Sequence, residues 1–205
     1  MADTFLPGIE FTSSSGGHYA KSIAALRGAK KEVPGIMHLL AFRPDATDLL
    51  NQFTHKVMRG PSKLSPGFRE LIATITSEGN ECSFCRDAHA QAAALLFEGE
   101  GRVKKGKGQA FIGAVLEGDA ALSDAEWQLL EFIVQVNLEA QDIEESDIRK
   151  LRKSGWADET IYDAMTVCAL MNFYNRWVGA SGVSWQEEES SLASGTRIAQ
   201  RGYLP

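Results

Sequence analysis

The sequence predicts an all-α fold, a single-domain helical bundle, and three observations carry that expectation. Proline, glycine and Ser/Asp capping signals punctuate the chain at helix spacing, the apolar residues between them recur with a helical period, and no convincing set of alternating strands is present. The 205 residues, 44% hydrophobic and 23% charged, suffice for one core and are too few for a second full domain.

Taken in order, Tyr19 to about Lys31 is rich in Ala and Lys and reads as a helix that Pro34 ends; a short apolar segment, Ile36 to Phe42, precedes Pro44. Asp45 can cap the next helix, which carries Leu49, Leu50, Phe53 and Val57 on one face and ends near Gly60. Ser65-Pro66 is an N-cap followed by proline at the first helical position, opening a run through Phe68, Leu71, Ile72 and Ile75 that stops at Gly79-Asn80. The next helix starts near Cys82 and continues through the Ala/Leu stretch Ala88 to Phe97. Arg102 to Gly108 is the one basic run; its glycines and lack of aromatics read as a solvated loop. Gln109 to Leu116 forms a short helix. Ser123 to Glu126 has capping-box spacing before an apolar run through Leu138. Ser146 to Ser154 supplies one more helix, ended by Gly155, and Asp158 opens the longest, running to about Val178 and closing at Gly179. Beyond Trp185 the chain is acidic, then contains Ser, Gly and Arg, and reads as a tail or a subunit-contacting arm. Leu64-Ser65 and Leu122-Ser123 each introduce an amphipathic helix, an echo of two related helical halves.

A net charge of −6 and a pI near 5.3 argue against a generic nucleic-acid binder, which needs a basic surface. Met1 to Pro7 lacks the charged flank and apolar core of a signal peptide, and no apolar run approaches the roughly 20 residues of a membrane span. The chain therefore reads as cytoplasmic, without a membrane partner.

The chemistry concentrates in Glu81-Cys-Ser-Phe-Cys-Arg-Asp-Ala-His89. In a helix, Cys82, Cys85 and His89 fall at i, i+3 and i+7 and project from one face. Three cysteines are too few for a secreted disulfide framework, and a close pair in a reducing compartment is metal-binding or redox-active. A thioredoxin-type reading needs a βαβ neighbourhood, which is not visible. A thiol in a first helical turn beside a histidine is drawn from about 8.5 toward neutrality, which makes attack on a peroxide feasible. The resulting sulfenic acid condenses with a second thiol to a disulfide. Cys85, at i, i+4 to His89, is assigned as nucleophile and Cys82 as resolving thiol. Histidine needs a partner to fix its tautomer; Glu70, on the preceding helix, is the candidate, with an ordinary surface glutamate as the competing reading. Cys168 lies in an apolar helical run and reads as a small hydrophobe. His18, His38 and His55 read as surface or core-edge residues, and Trp127, Trp156, Trp177 and Trp185 as packing anchors.

Arg69-Glu70-Leu-Ile-Ala followed by Asn80-x-Cys82-x-Phe84-Cys85-x-x-x-His89 resembles the alkylhydroperoxidase D family, in its peroxidase-related branch, of the carboxymuconolactone decarboxylase-like superfamily; every spacing of that family's Glu-Cys-Cys-His motif agrees. Leu122-Ser123, Leu151-Arg152, Gly155-Trp156 and Asn172-Phe-Tyr-Asn175-Arg176 extend the resemblance, which covers roughly residues 35–185, leaving a lead-in over 1–18 and a tail over 186–205. The resemblance implies an alkylhydroperoxidase D-like helical subunit that forms a homo-oligomer and reduces hydroperoxides in antioxidant defence. It also implies that Cys85 attacks, Cys82 resolves, and His89 and Glu70 relay protons, with no bound cofactor and with electrons from a dithiol reductant such as a lipoyl-bearing protein. The decarboxylase branch lacks the cysteine pair. Phe84 stands where some members have a histidine, which removes one possible proton donor. Two other readings compete: a Zn²⁺ site at Cys82, Cys85 and His89 with Glu70, and a non-enzymatic redox sensor or interaction module. A c-type haem is excluded, because Arg86 stands where the histidine must follow the second cysteine.

Overall fold

The computed structural model describes residues 4–12, 17–185 and 187–204. Residues 1–3 and 13–16 of the expected lead-in, and Gln186 and Pro205 of the expected tail, lie outside the described residues. Among those described there are eleven α-helices, one short 3-10 turn and no strand, as the all-α expectation requires.

The centre of the molecule is a pair of helices, α5 (Pro66–Gly79) and α6 (Ser83–Gly99), joined by a turn so short that the chain doubles back on itself. Glu81 makes that turn with φ of 55°, a left-handed conformation that is uncommon outside glycine, and Cys82 follows as the N-cap of α6. The Ser65 hydroxyl accepts from the Phe68 N–H at 3.2 Å and Pro66 opens the helix, as the sequence predicts. Around the pair stand α4 (Pro44–Arg59), α7 (Gly108–Leu116), α8 (Asp124–Glu139), α10 (Asp158–Ala180) and α11 (Glu188–Arg201); α1 (Pro7–Thr12), α2 (Gly17–Gly28) and α3 (Ile36–Phe42) gather at one end, and α9 (Glu145–Lys153) backs α8. The Ser123–Glu126 capping box forms in both directions.

The main core runs through Leu71, Ile72, Phe97, Leu129, Ile133, Ile161 and Met171, all buried. Cys168 packs inside it, fully buried, its thiol 3.9 Å from the Ile133 carbonyl. A smaller cluster of Leu39, Cys82, Phe84, Cys85, Val178 and Val183 lies at the start of α6. The cysteine pair is therefore embedded in apolar packing, at the point where α3 and the end of α10 meet α6.

Several expectations are corrected. On α4 the buried residues are Thr47, Asn51, Thr54 and Met58; of the expected apolar face Leu50 and Val57 pack against the core, while Leu49 and Phe53 are 65% and 52% exposed. The apolar period is real, but this helix turns hydroxyl and amide groups inward, where Thr54 Oγ1 meets Tyr174 Oη at 2.7 Å. Arg43, not Asp45, is the N-cap of α4, and Pro44 sets its first turn. The longest helix runs through Gly179, and the left-handed glycine that follows it is Gly182. The basic run is the exposed loop expected, and within it Arg102 pairs with Glu126 at 2.7 Å and lies over the rings of Phe68, Phe97 and Phe111. His38 is buried in the interior.

The largest correction concerns the tail. Residues 188–201 form α11, which packs along α6. Ser191, Gly195 and Ile198 make its buried stripe, and a Cβ on Gly195 would come within 2.4 Å of the Ala88 carbonyl oxygen. The hydrogen side chain is what permits this backbone approach. At the end of α11, Gly202 takes φ of 68° and ψ of −140°, a conformation costly for any residue with a Cβ, and swings Tyr203 back beneath α6.

Candidate functional site

Three elements converge on Glu70, which is completely buried in α5. From α6, His89 Nδ1 donates to Glu70 Oε2 at 2.6 Å. From the end of α4, Arg59 Nη2 donates to Glu70 Oε1 at 2.6 Å. From beyond α11, the Tyr203 hydroxyl lies 2.8 Å from Oε1 and 3.0 Å from Oε2. A buried carboxylate costs several kcal/mol in lost hydration, of order 3–5 when left unpaired, and charge-assisted hydrogen bonds of this kind offset it. Burial pushes the Glu70 carboxyl up, but the His89 hydrogen bond, the charges of His89 and Arg59 and the Tyr203 hydrogen bond outweigh it and hold the group below the usual carboxylate range. Tyr203 moves the other way: burial first, then the Glu70 charge, push its phenol well above the ordinary value, so it stays a donor. The Tyr203 N–H is itself anchored on His55 Nδ1 at 3.3 Å, and Arg59 lies over the Tyr203 ring at 5.3 Å while holding the carbonyls of Met58 and Ile198.

One helical turn back along α6 are the two sulfurs, both free thiols and both buried. The hydrogen bond between them sets their proton affinities in opposite directions. Cys82 is drawn down to about 6, first by the hydrogen bond from Cys85, then, against burial, by the Cys85 backbone amide, by His89 and by the Asn175 carboxamide. Cys85 is pushed well up, first by the same hydrogen bond to Cys82, then by burial and the Cys82 charge. The pair thus holds one proton near neutral pH, with the charge on Cys82. Asn175 is positioned by Asn80 Nδ2, which donates to its Oδ1 at 2.9 Å, and by its own Nδ2 donating to Ser77 Oγ at 3.0 Å. Asn80 also reaches Asn137 and Asn172, so a net of four asparagines braces the turn before the cysteines.

Cys85 and His89 line one cavity of about 720 Å³, open mouth included; Cys82 does not. The more acidic sulfur and the cavity-facing sulfur are different atoms. Phe84, Tyr174, Trp185 and Tyr203 share the lining. Trp185 stacks on Phe84 with ring centres 4.0 Å apart, and its Nε1–H donates to the Phe84 carbonyl at 3.0 Å. Phe84 is therefore a wall, clamped in place by Trp185. Among the described residues no cluster of three His, Cys, Asp or Glu side chains has metal-holding geometry, and both oxygens of Glu70 are already engaged.

Glu70 and His89 are thus in direct contact, and Cys82 and Cys85 share a hydrogen bond. Arg59 and Tyr203 escape the sequence reading. Arg59 resembles any cation at a helix end, and Tyr203 follows a segment of low hydrophobicity. Ser191, Gly195 and Ile198, at i, i+4 and i+7, are the signal that marks that segment as a packed helix.

Comparison with known proteins agrees with this architecture. Residues 44–95 match the model of the carboxymuconolactone decarboxylase family, a span holding Glu70, Cys82, Cys85 and His89. An uncharacterized peroxidase-related protein from Silicibacter sp. TM1040 superposes with a TM-score of 0.67 at 25% identity, covering 80% of this chain and 82% of that one. An alkylhydroperoxidase AhpD core, also an uncharacterized peroxidase-related protein, from Ralstonia eutropha JMP134, superposes with a TM-score of 0.68 at 24% identity, covering 86% and 88%. No curated protein matches the sequence. The fold is alkylhydroperoxidase D-like and all-helical among the described residues. The segment that carries Glu70, Cys82, Cys85 and His89 is the part of the chain that resembles the carboxymuconolactone decarboxylase family.

Proposed function

We propose that this protein is a thiol-dependent peroxidase that reduces organic hydroperoxides through a dithiol–disulfide cycle of Cys82 and Cys85, with His89 and Glu70 relaying protons. The observation that carries the reading is the division of labour between the sulfurs: Cys85 faces an apolar cavity beside His89, and Cys82 holds the charge behind it.

The Cys85 proton passes along its hydrogen bond to Cys82, while His89, held through Nδ1 by Glu70, keeps the proton on Nε2 to give to the departing alkoxide. The Cys85 thiolate, the less stabilised of the two, is the stronger nucleophile. It attacks the distal oxygen of the hydroperoxide: an S–O bond forms, the O–O bond breaks, and the departing alkoxide takes a proton to become the alcohol. Cys82 then attacks the Cys85 sulfenic sulfur, the S–S bond forms, and hydroxide leaves as water. The shared thiol proton and a second proton drawn from solvent through His89 end on the alcohol and the water, and an external dithiol returns the disulfide to thiols. Glu70, held ionised by Arg59 and Tyr203, keeps His89 in one tautomer. Resemblance supports two further parts of the reading: a lipoyl-bearing protein as the dithiol donor and a homo-oligomeric assembly.

Consumption of cumene hydroperoxide with dihydrolipoamide as reductant, on wild type, Cys85→Ser and Cys82→Ser, tests the proposal. The expected result is turnover in wild type alone and a trapped sulfenic acid at Cys85 in Cys82→Ser. Wild-type consumption no faster than dihydrolipoamide alone overturns the enzyme in favour of a sensor.

A further inference from the structure

The cavity over Cys85 is not uniformly apolar. Ile36, Leu40, Met171 and Ile198 supply hydrocarbon walls, but Tyr19, Asn51 and Arg197 share the same lining. Two buried donor atoms in that group have no hydrogen-bond partner, Asn51 Nδ2 and Arg197 Nε. Asn51 is only 4% exposed, and its Oδ1 accepts from the Tyr19 hydroxyl at 3.2 Å. With Oδ1 on the Tyr19 hydroxyl, the end of the carboxamide left unmatched is the donor. Arg197 makes one bond among the described residues, from Nη1 to the Gly202 carbonyl at 3.5 Å, and no carboxylate pairs with it. The other nearby charge of functional weight, Glu70, is covered by His89, Arg59 and Tyr203.

Buried polar groups in folded proteins find partners, so two orphaned donors in one cavity wall point to a bound acceptor. A carboxylate is acceptor-only and matches a guanidinium in both charge and fork geometry. Hydrocarbon walls beside those donors call for an apolar chain on the same molecule.

We propose that this cavity binds a long-chain carboxylate bearing a hydroperoxy group, its carboxylate held by Arg197 and Asn51 and its hydroperoxide presented to Cys85. The inference rests on the peroxidase reading above and narrows its substrate: the products are the corresponding hydroxy acid and water, and the two electrons come from the Cys82 and Cys85 thiols.

Two measurements separate this inference from the reading beneath it. The first is calorimetric titration with octanoate and with 1-octanol, neither of which can be reduced as a peroxide. Wild type binds octanoate at least about tenfold more tightly than octanol, equivalent to about 1.4 kcal/mol. Arg197→Gln erases that preference and Arg197→Lys, which keeps the charge, restores part of it. Equal affinities in wild type, or an octanoate affinity untouched in Arg197→Gln, overturn the proposal. The second compares linoleic acid hydroperoxide with its methyl ester as substrates: the acid is favoured by about tenfold in kcat/KM, through KM, and the ratio falls to about one in Arg197→Gln. Reduction of acid and ester at equal kcat/KM leaves the peroxidase standing and removes the carboxylate site. Octanoate binding through Arg197 without reduction of any hydroperoxide leaves the carboxylate site standing and removes the peroxidase.

Discussion

Tyr203, the next-to-last residue described, places its hydroxyl 2.8 Å and 3.0 Å from the two oxygens of Glu70, 133 positions earlier in the chain. Through that contact the C-terminal segment becomes part of the site's electrostatics. The carboxylate that orients His89 is held by a helix end (Arg59), by a neighbouring helix (His89) and by this late-arriving phenol. Tyr203 reaches it because Gly195 lets α11 lie close on α6 and Gly202 lets the chain reverse.

Tyr203→Phe keeps the ring under Arg59 and removes only the donor. A hydrogen bond to a charged acceptor contributes about 1.5–3 kcal/mol, and the variant is expected to lose stability in that range in urea unfolding. Peroxide turnover should fall with it while the binding of octanoate holds, since the phenol acts on Glu70. A variant as stable and as active as wild type would make the contact incidental.

Gly195→Val tests the helix approach itself. The added side chain meets the Ala88 carbonyl and Gln91 at less than contact distance, and overpacking of this kind costs about 1–3 kcal/mol. Hydrogen exchange should rise selectively over residues 188–204, with α5 and α8 keeping their protection. Uniform loss of protection would mean that α11 is not a separable layer.

Glu70 gives the protein a specific acid sensitivity. Its folded-state affinity for a proton lies below the unfolded value of about 4.3, so its contribution is fully present above that pH and is lost as pH falls through the folded value. Glu70→Gln removes the charge that Arg59 neutralises and should cost about 3 kcal/mol at neutral pH. The stability gap between wild type and variant is therefore expected to narrow below about pH 4. A gap that stays constant from neutral to acid would show that the carboxylate's ionisation contributes nothing.

The parts of this molecule legible in the sequence are those written in local chemistry. Ser65-Pro66 and the Ser123–Glu126 box are caps, and caps depend on residues three apart. Glu70, Cys82, Cys85 and His89 are readable because adjacent helices with a short turn carry fixed spacings into fixed geometry. What escapes is packing by removal of side chains. α11 buries Ser191 and Gly195, not leucines, so its amphipathicity is faint to any scale that counts apolar bulk. On α4 the pattern misleads for the opposite reason. Thr47 faces inward to the Leu40 carbonyl, Asn51 to the cavity wall and Thr54 to the Tyr174 hydroxyl, and this leaves Leu49 and Phe53 outside.

The paired sulfurs give the sharpest test of how the site divides its work. With Cys82 drawn to about 6 by the hydrogen bond from Cys85, the protein should react with a small alkylating agent along a single titration with a midpoint near that pH, and peptide mapping should find the label on Cys82 first. Cys85→Ala removes the donor chiefly responsible, so the Cys82 midpoint should rise toward the ordinary thiol range of about 8.5. Cys82→Ala removes the partner that pushes Cys85 up, so Cys85 should become more acidic than it is in wild type, with burial alone opposing it. These opposite movements, one thiol losing acidity and the other gaining it, follow only from a shared proton. If the two single variants shift in the same direction, each thiol titrates on its own surroundings. The charge would then no longer rest on Cys82 as the resolving half of the pair.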